Sequence, residues 1–221
     1  TNALRDCARE TIAYDAHGFE AERRCFNADG EPVVSSVMGV AGWRWQRDAQ
    51  GRVTRKTALS VLGEVGVTPH GHAVEMTRYD GRGEVLSESF LDADGRPAFG
   101  PKGWSERRWR RDAQGQVIQV STVDTLGNLV ADPLGVARTR TSRDGHTTRI
   151  RHQGVDSQPV GGAGGIAGRD ITTDAYGMVV REMTVDVSGL PAVDPVTGCA
   201  SVETTRDAAG DVIATRCLDA H

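Results

Sequence analysis

A turn signal returns along this chain every 30 to 33 residues, and few architectures accommodate such a rhythm. The stretch from Gly71 to Lys102, GHAVEMTRYDGRGEVLSESFLDADGRPAFGPK, shows the unit in full. It opens with Gly, a larger side chain, and Ala or Ser. Nine residues after the Gly an Asp starts a D-x-x-G turn. Eleven residues after the Asp stands a bulky apolar residue, followed by a second turn that often reads D-A-D-G-x-P. The first-turn aspartates are Asp15, Asp48, Asp80, Asp112, Asp144, Asp174 and Asp207. Their turn glycines are Gly18, Gly51, Gly83, Gly115, Gly177 and Gly210; the fifth copy has Thr147 in that slot. The late apolar slot holds Phe26, Leu59, Leu91, Val123, Val155, Val185 and Leu218. Repeats therefore begin near residues 6, 39, 71, 103, 135, 165 and 198, and residues 1–221 read as a single repeat domain. A 64-residue pairing lies above this: the second and fourth copies share W-x-R-D-A-Q-G-x-V at Trp45 and Trp109, and the first and third share Y-D-x-x-G at Tyr14 and Tyr79.

Each repeat reads as a β-hairpin. The D-x-x-G turn suits a type I turn with Gly in the left-handed position. Segments such as GEVLSESFL and GQVIQVSTV are rich in β-branched residues, and no stretch sustains the i, i+3, i+4 spacing of a helix. A lone hairpin is marginal in water, so the copies must stack and bury one another's faces. The expected fold is all-β: about seven tandem antiparallel hairpins forming an elongated or spiralling sheet. The alternative is a ring resembling a seven-bladed propeller, although a blade normally takes about 40–45 residues. The Pro-containing tail of each repeat reads as a loop or short edge strand. Gly161–Gly165 (GGAGG) reads as the most flexible segment and a hinge candidate.

The four cysteines sit only in the first and last repeats, at Cys7, Cys25, Cys199 and Cys217, each pair 18 residues apart and in equivalent slots. In the other repeats those slots hold Val40 with Ala58, His72 with Phe90, Trp104 with Thr122, Val136 with Gly154, and Ile166 with Thr184. A large residue facing a small one is what a packed contact across a hairpin would show, and only His72 with Phe90 departs from it. The expected disulfides are Cys7–Cys25 and Cys199–Cys217, with a bulge to bring each pair into register. They would staple the terminal repeats, which have one neighbour each. Free thiols, and a first-to-last pairing that closes a ring, are the alternatives; the spacing does not suit zinc. Paired cysteines imply an oxidising compartment, periplasmic or extracellular.

Composition narrows the rest. A formal charge of −4 offers no field for a nucleic-acid partner. No run reaches the roughly 18–20 apolar residues of a membrane-spanning helix. The chain starts at Thr1 and reads as a mature or trimmed fragment.

The elements Tyr14-Asp15-Ala-His-Gly18 and Tyr79-Asp80-Gly-Arg-Gly83 resemble the YD repeats of bacterial RHS-type proteins. That resemblance implies serial hairpins joined into long antiparallel sheets, which in the family often curl into a shell; a shell does not carry over to 221 residues. Tyr fills the slot in two of seven copies and the period is longer than a YD unit, so a distinct family of bacterial hairpin repeats is the alternative.

Candidate chemistry is sparse. Asn27-Ala-Asp-Gly30 and Asp92-Ala-Asp-Gly95 echo calcium loops but supply too few carboxylates, and turn chemistry accounts for them. His70, His72, His146 and His152 read as surface or packing histidines rather than metal ligands. Ser87 and Ser89 have no partner His implied, and no hydrolase, metalloprotease or phosphate-loop motif occurs. No catalytic residue, cofactor or metal is expected. Trp45 and Trp109 with Arg47 and Arg111 are the binding candidates, because Trp and Arg recurring every second repeat suit a protein edge or a cell-surface glycan. The competing reading has the indoles filling a thin core beneath snorkelling arginines, with Trp104 buried and Trp45 and Trp109 the more exposed. The expected function is a non-catalytic binding or scaffold module of a secreted or periplasmic bacterial protein. The alternative is an inhibitor or immunity-type protein that blocks an extracellular hydrolase or toxin with a loop such as Gly161–Gly165 or a DADG-P turn.

Overall fold

The computed structural model describes residues 7–220; Asp6, the expected opening of the first repeat, lies outside them. Fourteen strands follow one another with almost no helix between them. They are β1 (Arg9–Tyr14), β2 (Glu20–Phe26), β3 (Gly42–Arg47), β4 (Val53–Leu59), β5 (Val74–Tyr79), β6 (Val85–Leu91) and β7 (Glu106–Arg111), then β8 (Val117–Val123), β9 (Arg138–Asp144), β10 (Thr147–Gln153), β11 (Gly168–Thr173), β12 (Val179–Val185), β13 (Ser201–Arg206) and β14 (Val212–Leu218). They form one antiparallel sheet in strict chain order. The sheet is open: β1 and β14 stand at opposite ends of that order, and the ring alternative is not the architecture formed.

Turn chemistry explains the hairpins. In the first, the Gly18 N–H donates to the Asp15 carbonyl at 3.0 Å and the Asp15 N–H donates to the Phe19 carbonyl at 2.8 Å. Gly18 takes a φ of 82°, which favours glycine, and the ladder shifts by one residue between Ala13 and Tyr14. This is a type I turn closed by a bulge, and the same shift recurs at Gln46/Arg47, Arg78/Tyr79, Thr172/Thr173 and Thr205/Arg206. The fifth hairpin lacks the turn Gly and solves the problem differently. Asp144 pairs directly with Thr147 across a two-residue turn, with Gly145 at φ 55°.

The tails are more ordered than a loop reading anticipates. Each turns back after its second strand and makes an isolated bridge to it, as Phe26 to Pro32 and Leu91 to Pro97. A third turn then ends on the opening Gly of the next repeat, as where the Gly71 N–H donates to the Thr68 carbonyl at 2.9 Å. Gly161–Gly165 occupies this third-turn position in its repeat. It contains a short 3₁₀ turn at Ala163–Gly165, closed by the Gly162 N–H donating to the Ile166 carbonyl at 2.9 Å. It is a compact turn, not an open hinge loop.

By contacts the chain divides into two compact units: residues 1–108 with 124–128, and residues 109–123 with 129–221. In the first unit the core gathers where tails cover strand ends, with Cys25, Ala41, Ala58, Leu59, Ala73 and Val74 almost fully buried. The second unit repeats the plan with Val123, Ala137, Ala167, Val185 and Ala200. In five of the seven repeats the opening residue pair is a core pair: Val40-Ala41, His72-Ala73, Trp104-Ser105, Ile166-Ala167 and Cys199-Ala200 are buried, whereas Val136 beside buried Ala137 is half-buried and Ala8 of the first repeat is exposed. His72 with Phe90 breaks the large-with-small rule because space is supplied elsewhere. A Cβ on Gly100 would stand 2.2 Å from the Phe90 ring, so glycine at this third-turn start admits a ring; in the fifth repeat the shortened turn puts His152, not Gly154, in the Phe90 slot, and the third turn there again starts on glycine, Gly162.

Candidate binding surface at the hairpin tips

At the D-x-x-G tips the Asp serves its own turn, whereas Asp144 of the fifth tip pairs with Arg149 at 3.3 Å. The Asp15 carboxylate accepts from the His17 and Phe19 N–H groups, both at 2.9 Å, and the Phe19 hydrogen bond foremost holds its carboxyl below the usual range. The Asp92 carboxylate accepts from Asp94 and Arg96 in the same way, so the DADG turns are explained by backbone capping. Among the described residues no three His, Cys, Asp or Glu side chains gather as a metal site.

The slot before the Asp links consecutive tips. Arg47 donates from Nη1 to the Gly51 carbonyl of its own turn and from Nη2 to the Glu20 carbonyl of the preceding hairpin, each at 3.3 Å. Tyr79, one repeat later, donates its hydroxyl to the Val53 carbonyl at 3.1 Å, and Val53 occupies the same place in its hairpin as Glu20. In the second unit the Thr173 hydroxyl reaches the His146 carbonyl at 3.3 Å. Side chains of different length with a donor at the right reach therefore suit the slot, which holds Tyr, Arg and Thr. Stacking accompanies two of these bonds: the Arg47 guanidinium lies 5.1 Å from the Phe19 ring centre, and Arg52 lies 4.6 Å from that of Tyr79. The partner residue follows the turn Gly in each case. Its side chain lies against the next turn Gly: a Cβ on Gly51 would meet Phe19 at 3.0 Å, and one on Gly83 would meet Arg52 at 2.8 Å.

Between the first two tips this packing leaves a groove lined by Asp15, His17, Phe19, Trp45, Gln46 and Gln50. Phe19 is 44% exposed and Trp45 half-buried. Of the expected binding residues, Trp45 and Arg47 meet here. Trp109 and Arg111 are half-buried and belong to the second unit, where Arg111 Nη1 donates to the Gly115 carbonyl at 3.2 Å, the role Arg47 plays toward Gly51. Trp43 carries Lys56 over its ring at 3.7 Å, and Lys56 pairs with Glu75 at 3.0 Å. Trp104 is buried, with Phe90 at 5.0 Å between ring centres and His72 a further 4.8 Å beyond. His72 accepts or shares a hydrogen bond with the Thr68 hydroxyl at 3.1 Å, and burial pushes its pKa down. His152, bonded to Thr139 at 3.1 Å, is shifted the same way for the same reason. Phe19 and His17 escaped the sequence reading; their position just around the first turn Gly was the available signal.

Both expected disulfides are present. Cys7–Cys25 and Cys199–Cys217 each have Cα atoms 5.3 Å apart, and no described cysteine is free. Contact in the first pair comes from the bend at Ala8 ahead of β1, since the ladder itself sets Cys25 opposite Glu10.

No family model matches the chain, and no curated protein matches it. Among solved structures, the crystal structure of TcdB2-TccC3-Cdc42 aligns over 95% of this chain at 11% identity with a TM-score of 0.34. The Photorhabdus luminescens Tc holotoxin pore carrying TccC3-D651A aligns over 95% at 12% identity and a TM-score of 0.21. TcdB2-TccC3-TEV aligns over 95% at 13% and 0.20. The aligned regions cover 12%, 14% and 14% of those chains.

Proposed function

We propose that the chain is a non-catalytic repeat scaffold of a secreted or periplasmic protein, and that it binds a cell-surface glycan through the groove between its first two hairpin tips. The groove itself carries this reading. A sugar ring offers an apolar C–H face and a rim of hydroxyls; Trp45 and Phe19 supply apolar faces, and Gln46, Gln50, His17 and Asp15 supply donors and acceptors around them. The two disulfides suit an oxidising compartment. No helix among the described residues is long and apolar enough to cross a membrane. The inhibitor alternative needs a loop free to enter a cleft. Gly161–Gly165 is closed by its own hydrogen bonds, and a Cβ on Gly164 would stand 2.5 Å from Pro195, so that exposed turn is braced rather than free to extend. A glycan array probed with the fluorescently labelled chain tests the proposal. Retention of a defined saccharide class should be lost in Trp45→Ala and weakened in His17→Ala, with both variants melting as cooperatively as the parent. Absence of any saccharide binding, or binding indifferent to both substitutions, would overturn it.

A further inference from the structure

We infer that the two disulfides are unequal, and that Cys199–Cys217 is a thiol-responsive clasp whose opening releases β14. The pairs occupy equivalent slots but differ in surroundings: the first joins half-buried Cys7 to buried Cys25, the second joins buried Cys199 to exposed Cys217. Cys25 is fully buried, on a strand paired on both sides, and its N–H donates to the Ala41 carbonyl at 2.8 Å. Cys217 is exposed, on a strand paired only with β13. Every residue of β14 from Val212 to Cys217 is exposed, and only Leu218 is half-buried. Its side chains therefore contribute little burial, and six ladder pairs plus the disulfide hold it to β13.

The rate of thiol–disulfide exchange depends on access to the sulfur attacked. An external dithiol has an open approach to Cys217. Its thiolate bonds to the Cys217 sulfur as the S–S bond breaks and Cys199 leaves as thiolate. The second thiol of the reductant then attacks the mixed disulfide, leaving the reductant oxidised by two electrons and a thiol on each cysteine. With so little side-chain burial, the disulfide is a large share of what holds so exposed a strand. Once β14 leaves, β13 becomes the sheet edge and offers the unpaired backbone of Ser201–Arg206 for strand addition.

The test is a graded dithiothreitol titration of the intact chain, quenched by alkylation and read by peptide mass mapping, with amide hydrogen exchange followed in parallel. Cys199 and Cys217 should be alkylated at least about tenfold faster than Cys7 and Cys25, and protection across Val212–Leu218 should vanish while β3–β6 keep theirs. The double variant Cys199→Ser, Cys217→Ser should show the same loss in β14 without reductant. Equal alkylation rates at both pairs would overturn the inference, as would full β14 protection in the reduced chain or in the double variant.

Discussion

The residue before the turn Asp couples one hairpin to the one before it at Arg47, Tyr79 and Thr173. Tyr79→Phe removes a single hydroxyl from the Val53 carbonyl and should cost about 0.5–1.5 kcal/mol in a denaturant melt. Tyr79→Arg combined with Arg52→Phe, which restores the donor and copies the Arg47–Phe19 stacking of the preceding repeat, should cost less than Tyr79→Phe. If the two variants rank the other way, the slot is not read by its donor. Gly100 gives a second residue-scale case. Gly100→Ala should destabilise by about 1–3 kcal/mol through overpacking on Phe90. Adding Phe90→Thr, the residue type of the fourth and sixth repeats, should recover part of that loss, and a purely additive double variant would count against the contact. This coupling was invisible in the linear pattern, where Phe90 looked only like an exception: Gly100 lies ten residues on and meets the ring only after the tail folds back.

Among the elements, hairpins were legible and tails were not. The D-x-x-G turn announces itself because one Asp, one left-handed Gly and the flanking β-branched residues each have a local reason to be there. The tails owe their order to bridges such as Leu59 with Val65 and to hydrogen bonds such as Gly66 N–H to the Ala58 carbonyl at 2.9 Å, which depend on where the preceding strand lies. For the same reason Trp45 and Arg47 could be singled out, but the groove they share could not: its far wall is Phe19 and His17, one repeat away. The pairing of the cysteines followed from equivalent slots. At this scale, Cys7→Ser with Cys25→Ser should lower stability by roughly 3 kcal/mol, measured by chemical denaturation against the parent. A loss well below that would mean the first hairpin is held mainly by its neighbour.

For the whole molecule, buried His72 and half-buried His152 shape the response to mild acid. Burial holds His72 and His152 below the ordinary value of 6.5, with Glu75 and Asp132 respectively opposing the shift. The unfolded chain therefore takes up these protons first as pH falls. Their contribution to stability is complete above about pH 6.5 and is lost as pH drops through the folded values. Melting temperature should fall as pH drops below about 6.5, and His72→Phe, which removes one of the two groups, should flatten that slope. An unchanged slope would assign the effect elsewhere. Each repeat supplies one hairpin, and each hairpin pairs only with its neighbours in the chain. Cross-strand proton contacts in an isotope-labelled sample read this order strand by strand. They should appear across the repeat seams at Glu22 with Arg44, Lys56 with Glu75, and Arg181 with Glu203. Contacts joining β1 to β14, or helical contact patterns inside any repeat, would contradict that order.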